Sequence, residues 1–273
     1  MRTRASALIL FSLFGSILAM AQSTGKGILL EDHTWLEAEK ILTPSTIVVI
    51  ALGAESKEHG PHLKLKNDWL MAEYLKREVL KRAEVVVAPT LNYHYFPAFL
   101  EYPGSTSLRL ETARDMTVDI CRSLARYGPR KFYILNTGVS TVRALKPAAE
   151  ILAGEGILLR FTDLLALLAP IEKSVAQQKG GTHADEIETS MMLYIAPESV
   201  DMSKAVDDYH PSGGPLTRTP GGAGVYSASG VFGNATLATR EKGEKITKAL
   251  VDGILAEIEN LRSAAIPASA RKD

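Results

Sequence analysis

The fold of this chain is decided by the stretch IVVIAL at residues 47–52, which is wholly apolar, rich in β-branched residues and followed by Gly53. A continuous apolar run of this length is typical of a strand that is buried on both faces of a sheet. Three further runs predict strands at residues 85–88, where Pro89 follows, and at 131–135 and 157–161.

Amphipathic stretches lie between and after these strands. They predict helices at residues 68–82, 112–126, 142–153, 186–195 and 239–261. The alternation of strand and helix predicts an α/β fold with three layers, α/β/α, around a largely parallel sheet. Such folds place their chemistry at the carboxyl ends of the strands. The Gly/Pro-rich stretch 210–224 has the composition of a long loop, which is typical of a lid or a subunit contact.

Composition excludes several classes of partner. The chain has 273 residues, enough for one large domain, and Lys+Arg and Asp+Glu both total 31. Because nucleic acids and anionic membranes favour a basic excess, neither is expected as a partner. A small-molecule substrate fits this balance better, and a protein without net charge is also free to self-associate.

The N-terminus has the three parts of a secretory signal peptide. Arg2 and Arg4 precede an uncharged apolar run at residues 5–20, and the small residues around Ala21 form a cleavage site. The run is slightly short for a membrane span, so we expect cleavage and no stable membrane anchor. The prediction is a signal peptide at residues 1–21 and a secreted or periplasmic single domain at residues 22–273.

Cysteine usage limits how such an exported protein is stabilised. Cys121 is the only cysteine, so no disulfide within the chain is possible. Because it lies in an apolar periodic stretch, we expect a buried small hydrophobic residue rather than a nucleophile.

The loop after the first strand carries a dense group of metal-ligand types. It reads ESKEHGPH at residues 55–62 and is followed by Asp68. Imidazole and carboxylate are ligands for zinc, manganese or iron. The Gly-Pro pair at 60–61 would hold the loop in a tight turn that aims His59 and His62 in fixed directions. A polar surface loop with an N-capping aspartate is the alternative that spacing alone leaves open.

Other stretches carry weaker signals. Residues 183–190 (HADEIETS) place His183 in a loop and Glu188 near the start of an apolar helix, where acidic residues are also favourable without any function. Residues 136–141 (NTGVST) lack the second glycine of a nucleophile elbow, so a turn with hydroxyl caps is preferred there. His94, in an aromatic run, either lines a pocket or packs.

These stretches together resemble the creatininase (creatinine amidohydrolase) family. Residues 52–63 and Asp68 are similar to the family's G-S-x-E-Q-H-G-P-H-L-P followed by T-D. Residues 102–108 (YPGSTSL), 183–190 and 230–234 (GVFGN) are similar to its F-P-G-T-x-S-L, H-A-G-x-x-E-T-S and G-V-x-G-(D/N). The resemblance runs in order from about residue 41 to the final helix.

The resemblance implies a creatininase-like fold, a homo-oligomer and divalent metals that activate water against an amide C–N bond. It implies that His59 is a metal ligand, that Asp68 is the bridging aspartate and that Glu188 belongs to the metal centre. His183 matches a histidine near the substrate and is expected to carry protons as a catalytic residue. The metal is expected to be zinc, with manganese or iron as alternatives.

Two ligands of the family pattern are missing. The glutamate of its E-Q-H falls on Lys57, and the histidine of its N-G-H-G-G-N falls on Gly138. Because both serve the same metal, we expect one metal site rather than two. Lys57 would place an ammonium where the lost cation sat, beside Asp68, and is therefore a second catalytic candidate.

The remaining histidines and carboxylates complete the expected site. Glu58 and Glu55 are possible substitute ligands, and His62 and His94 are candidates for binding the substrate. The expected function is a metal-dependent hydrolase of a non-peptide amide C–N bond, in a cyclic amide, ureide or formamide. The alternative is a catalytically inactive relative that binds a small molecule or serves in an assembly.

Overall fold

The computed structural model describes residues 25–211 and 214–270. The predicted signal peptide at residues 1–21 therefore lies outside the described residues. Within the described part, no helix combines the length and the apolar character needed to cross a membrane.

Within residues 25–211 and 214–270, five strands and seven α-helices build the main body, and four short strands lie near the C-terminal end. In chain order they are β1 (Ile28–Leu29), α1 (Trp35–Ile41), β2 (Ile47–Leu52), α2 (Asn67–Arg82), β3 (Val86–Leu91), α3 (Leu110–Ala125), β4 (Lys131–Asn136), α4 (Val142–Ala153), β5 (Leu158–Phe161), α5 (Leu164–Val175), α6 (Glu186–Ile195), β6 (Asp207–Asp208), β7 (Leu216–Thr217), β8 (Val225–Tyr226), β9 (Gly233–Asn234) and α7 (Arg240–Ser263).

The central sheet has the strand order β1-β3-β2-β4-β5, and every neighbouring pair is parallel. The central strand β2 pairs with β3 on one side, where Val48 faces Val86, and with β4 on the other, where Ile50 faces Ile134. All six residues of β2 are buried, as the apolar run predicts.

Helices cover both faces of this sheet because successive side chains of a strand point in opposite directions. Ile47 and Val49 of β2 belong to a core that is completed by α2, α5, α6 and α7. Val48 and Ile50 belong to the opposite core, which α3 and α4 complete. Cys121 lies in this second core as a buried free thiol. The three-layer α/β/α prediction is confirmed.

The predicted end of the second apolar run is wrong. Instead of stopping before Pro89, β3 continues through it to Leu91. Proline cannot donate to a strand ladder, and the register of β2 against β3 shifts between Ile50 and Leu52, the stretch that faces Pro89. The irregularity accommodates the missing N–H.

Two further features of the chain were not expected. The helix α5 covers part of the sheet, and the stretch 210–224 is not wholly irregular, because β7 lies within it and pairs in parallel with β8 just beyond it. Glu101 holds this segment, since its carboxylate accepts hydrogen bonds from the Thr217 hydroxyl and the Arg218 N–H.

The two C-terminal helices approach each other closely. Gly243 of α7 lies against the carbonyl oxygen of Ser190 in α6, and a Cβ at this position would come within 1.8 Å of that oxygen. The N–H of Thr239, which caps α7, donates to the Ser190 hydroxyl at 3.1 Å. Only glycine permits this contact, so α7 fixes the position of α6.

Candidate metal centre

The centre lies at the carboxyl ends of β2 and β4, where the parallel sheet was expected to carry chemistry. The loop after β2 supplies Lys57 and His59, and the first turn of α2 supplies Asp68. The hydroxyl of Thr137, directly after β4, donates to the backbone oxygens of Leu52 and Asp68 and joins the ends of the two strands to α2.

Backbone contacts shape the loop that carries Lys57 and His59. The N–H of Lys57 donates to the carbonyl of Leu65 at 3.1 Å, and the N–H of Glu58 donates to the Ser105 hydroxyl at 2.9 Å. Gly60 has a φ of 69°, a left-handed conformation that suits glycine. The predicted tight turn is present, and it buries the His59 side chain.

His59 presents one ring nitrogen to a pair of carboxylates. Its Nδ1 lies 2.9 Å from the carbonyl oxygen of Lys57, so this nitrogen must carry the proton and donate. Its Nε2 lies 2.8 Å from Oδ1 of Asp68 and 3.4 Å from Oε1 of Glu188. A neutral imidazole therefore turns a lone pair toward two acceptors, which requires either a second proton or a shared cation.

The electrostatics of this group follow from burial and close charges. Burial and the ammonium of Lys57 lower the pKa of His59, but the carboxylates of Asp68 and Glu188 outweigh them, so the pKa lies above its usual value. Burial alone would raise the pKa of Asp68, yet Lys57 and His59 hold it far below its usual range. Asp68 is therefore ionised.

Lys57 forms a buried ion pair with Asp68. Its Nζ lies 2.7 Å from Oδ2 of Asp68, and only 5% of the residue is exposed. The ammonium also lies over the rings of Phe96 and Phe99, at 5.5 and 4.7 Å from their centroids, in positions suited to cation–π attraction. A positive charge thus stands beside Asp68, as the replacement of the family's glutamate predicts.

Glu58 holds His183 in place. Its Oε2 lies 3.0 Å from Nε2 of His183, and its other oxygen accepts from the N–H of Gly60. Burial would raise the pKa of Glu58, but the charge and hydrogen bond of His183 lower it overall. With Nε2 engaged, His183 turns Nδ1 toward Glu188, whose Oε2 is 3.8 Å away.

Two donors orient the carboxylate of Glu188. The side-chain amide of Asn67 donates to Oε1 at 2.9 Å, and the N–H of Ala184 donates to Oε2 at 2.7 Å. Ala184 has a φ of 49°, a left-handed conformation that costs energy in a residue other than glycine. The role of Asn67 was not predicted, because an asparagine at a helix start reads equally well as a cap.

A metal fits this donor set. Ligand atoms of His59, His183 and Glu188 all lie within 4.8 Å of one another. Among the described residues, two buried polar atoms around them lack a hydrogen-bond partner, namely Nδ1 of His62 and Oδ1 of Asn67. Histidine and carboxylate ligands in this number suit zinc, manganese or iron.

The other predicted site residues lie at different distances from this cluster. His62 is buried beside it, with Nε2 2.8 Å from the Thr189 hydroxyl, and burial lowers its pKa to about 4. Glu55 is exposed and accepts instead from the side chain of Asn92. His94 is fully buried against α3, where it contacts Thr117. The structure does not bring Glu55 or His94 to the metal centre.

A cavity of about 270 Å³ opens beside the cluster. Lys57, Asp68, His183 and Glu188 line one part of it, whereas His94 is not among the lining residues. The loop after β4 contributes Ser140, whose hydroxyl donates to the carbonyl of Tyr95, so the turn predicted there is held by its hydroxyl groups.

Comparison with known proteins identifies relatives over most of the chain. The family model described as "Creatininase: Creatinine amidohydrolase" matches residues 31–258. The creatinine amidohydrolase of Pseudomonas putida is 28% identical over 248 residues, which cover 84% of this chain and 95% of that protein. The mycofactocin precursor peptide peptidase of Mycolicibacterium smegmatis is 27% identical over 215 residues, covering 76% and 82%.

The solved structures agree with these sequence matches. A structure described as a creatininase with Mn superposes with a TM-score of 0.70 at 26% identity, and the match covers 87% of this chain and all of that one. The family match spans far more than half of the sequence and includes every residue of the cluster around His59. This chain belongs to the creatininase family.

Proposed function

We propose that this protein is a metal-dependent hydrolase that cleaves a non-peptide amide C–N bond in a small molecule. The observation that carries the proposal is the convergence of His59, His183 and Glu188 on one point beside a cavity. The relatives named as an amidohydrolase and a peptidase support hydrolysis as the reaction class.

We propose one divalent metal, with zinc first and manganese or iron as alternatives. His59 and Glu188 belong both to the predicted ligand set and to the observed cluster. For the third ligand we favour His183 over Asp68, because His183 belongs to the observed cluster, whereas Oδ2 of Asp68 is already paired with the ammonium of Lys57. Glu58 would then fix the tautomer of His183, which is the usual arrangement of a carboxylate behind a metal-bound histidine.

Side chains of the protein would supply the catalytic functions that the metal does not. A divalent metal in this position supplies Lewis acidity toward an amide carbonyl and lowers the pKa of a coordinated water. Lys57 faces the same cavity, so its ammonium can donate to the carbonyl oxygen as negative charge develops there. Asp68 keeps Lys57 in place, and the carbonyl of Lys57 accepts from Nδ1 of His59 and orients its ring. Glu188 is held by Asn67 and Ala184 and needs no rearrangement.

The experiment that tests this function combines metal analysis with hydrolysis assays. We expect about one metal equivalent per chain and turnover of at least one member of a panel of lactams, cyclic ureides and formamides. His59→Ala should lose both metal and turnover, whereas His33→Ala, a histidine outside the centre, should keep them. Two equivalents of metal per chain would contradict the single-metal proposal.

A second candidate function is a catalytically inactive relative that binds a small molecule or serves in an assembly. The replacements at Lys57 and Gly138 favour it, because both remove ligands of the family pattern. Absence of turnover with zinc, manganese and iron, together with tight binding of an amide from the same panel, would establish this candidate instead.

Export and self-association are further proposals that stem from the sequence. The N-terminal pattern supports secretion or a periplasmic location after cleavage near Ala21, and N-terminal sequencing of protein from cell fractions tests it. The family resemblance supports a homo-oligomer, which light scattering of the purified protein tests.

A further inference from the structure

The cavity beside the metal centre has a second, apolar part that the reaction itself does not use. The helix α5 turns one face toward it through Leu164, Leu165, Leu168 and Glu172, which are spaced by one, three and four residues as a helical face requires. The eight steps from Leu164 to Glu172 span about 12 Å of helix axis. This length exceeds what the reacting amide group alone would occupy.

The apolar face continues across the cavity. The ring of Phe99 and the side chain of Val139 also line it. Val139 and Leu165 are large hydrophobic residues with 44% and 42% exposure, in a loop and a helix that both border the cavity. Exposed apolar side chains that meet at a cavity are typical of a binding surface for an apolar ligand.

The charges around the cavity select against anions. Among the described residues that line it, one ammonium, that of Lys57, stands against the carboxyl groups of Asp68, Glu172, Asp185 and Glu188. Lys57 is already paired with Asp68. Glu172, at the end of the apolar face of α5, forms no ion pair within the described part of the chain. An anionic substrate group that reaches the Glu172 end of the cavity would therefore be repelled.

We infer that the substrate of this site is an amide whose non-reacting part is an apolar chain or ring without negative charge, lying along the α5 face defined by Leu164, Leu165, Leu168 and Glu172. This inference rests on the proposed function for the position of the amide, and it deepens that function by naming the substrate class. The far end of the substrate's apolar chain can carry a cationic group, because the carboxylate of Glu172 can pair with it.

The test measures binding of unbranched alkyl hydroxamates, from acetohydroxamate to octanohydroxamate, to the zinc-loaded full chain by calorimetry. The hydroxamate group binds the metal in all of them, so that only the alkyl chain varies. We expect about fourfold tighter binding for each added methylene until the cavity is filled, from the free energy of burying one methylene. Equal affinity along the series would overturn the inference.

Matched variants locate the effect. Leu165→Ser should flatten the dependence on chain length, whereas Leu36→Ser should leave it unchanged, because Leu36 is a similarly exposed leucine in α1 that does not line the cavity. If both variants behave alike, the α5 face is not the binding surface and the inference is wrong.

The charge at the free end of the hydroxamate's alkyl chain tests the inference independently. A six-carbon hydroxamate that ends in a carboxylate should bind on the order of tenfold more weakly than one that ends in a methyl or ammonium group, since Coulomb repulsion in a partly buried cavity has this size. Glu172→Gln should recover part of the loss. Equal binding of all three chain ends would show that charge does not select the substrate.

A metal-free arm separates this inference from the proposed function. Chelator-treated protein is titrated with acetamide and hexanamide, with chemical shifts of the bound state as the measure. If the longer amide binds more tightly here while no hydroxamate binds the zinc-loaded protein, the proposed metal chemistry fails and the apolar surface stands. If chain length matters in neither arm, the apolar surface fails.

Discussion

The ammonium of Lys57 lies 2.7 Å from the carboxylate of Asp68, and both side chains are almost completely buried. In the family pattern a glutamate stands at the position of Lys57, so the sign of the charge beside Asp68 is reversed in this chain. A buried ammonium therefore balances the charge of Asp68 in this chain.

Removal of this ammonium should destabilise the metal-free protein. Lys57→Met leaves the Asp68 carboxylate buried without its partner, which should lower the free energy of unfolding by about 3–5 kcal/mol. Zinc should recover part of this loss, because a bound cation can neutralise the same carboxylate. Urea unfolding with chelator and with zinc measures both effects.

Lys248→Met is the matched control for this change. Lys248 pairs with Asp252 on the surface, with 74% of its side chain exposed, so its removal should cost less than about 1 kcal/mol. Equal costs for the two variants would contradict the buried ion pair.

Glu58 and Glu55 should differ in their effect on metal affinity. Glu58→Gln weakens the carboxylate that orients His183, and changes of this kind cost about 10- to 100-fold in metal affinity. Glu55→Gln should have no effect, because the carboxylate of Glu55 lies at the surface, where it accepts from the side chain of Asn92. Competition with a chromophoric zinc chelator measures both dissociation constants, and identical values would show that Glu58 has no role at the metal.

A single variant can distinguish whether His183 binds the metal or transfers protons. If Nδ1 of His183 binds the metal, His183→Gln should raise the zinc dissociation constant by at least the 10- to 100-fold expected from Glu58→Gln. In the cobalt-substituted protein the visible spectrum should change at the same time. Unchanged affinity and spectrum, with turnover lost, would return His183 to the predicted role in proton transfer.

Cys121 should be inert in the folded protein. Burial in the core below α3 raises the pKa of its thiol to about 12, so almost no thiolate exists at pH 8. A disulfide exchange reagent such as dithionitrobenzoate should release no chromophore from native protein and about one equivalent after denaturation. Rapid reaction in the native state would mean that this core opens readily.

The stability of the metal-free protein should fall in mild acid. Burial lowers the pKa of His94 to about 4, whereas an unfolded histidine titrates near 6.5. Between these values the unfolded chain binds a proton that the folded chain does not, so the free energy of unfolding decreases as the pH drops from about 6.5 to 4.

His94→Gln should make this decrease smaller. His62, whose pKa is also lowered to about 4, should retain its share of the effect. Urea midpoints at several pH values between 7 and 4.5 give the slope for each protein. Parallel curves for the parent and the variant would show that His94 does not titrate differently on folding.

Much of the fold followed from apolar runs, because a buried parallel strand must be apolar on both faces. The run at residues 47–52 coincides with β2, and the helices α4 and α6 have the predicted bounds. The helix α5 was not predicted because residues 164–169 form a short, continuous apolar run, which cannot be distinguished from a buried strand by its period alone. The continuation of β3 past Pro89 was not predicted, because its irregular pairing depends on the neighbouring strand β2.

For the candidate site, too, local features could be predicted from the sequence and long-range contacts could not. The loop with His59 and Asp68 could be located from residue types and spacing alone. The pairing of Glu58 with His183 joins residues 125 positions apart, and that of Asn67 with Glu188 joins residues 121 apart. No local pattern contains such contacts, so the approach of His183 to His59 and Glu188 became visible only in three dimensions.

The close contact between Gly243 and Ser190 has a consequence for the synthesis of the protein. The helix that carries Glu188 obtains its final position only when the last helix packs against it. In a growing chain, the residues of the loop around His59 and of the central sheet leave the ribosome before that helix. The site is therefore completed last, and a chain that is interrupted before residue 240 should fail to retain metal.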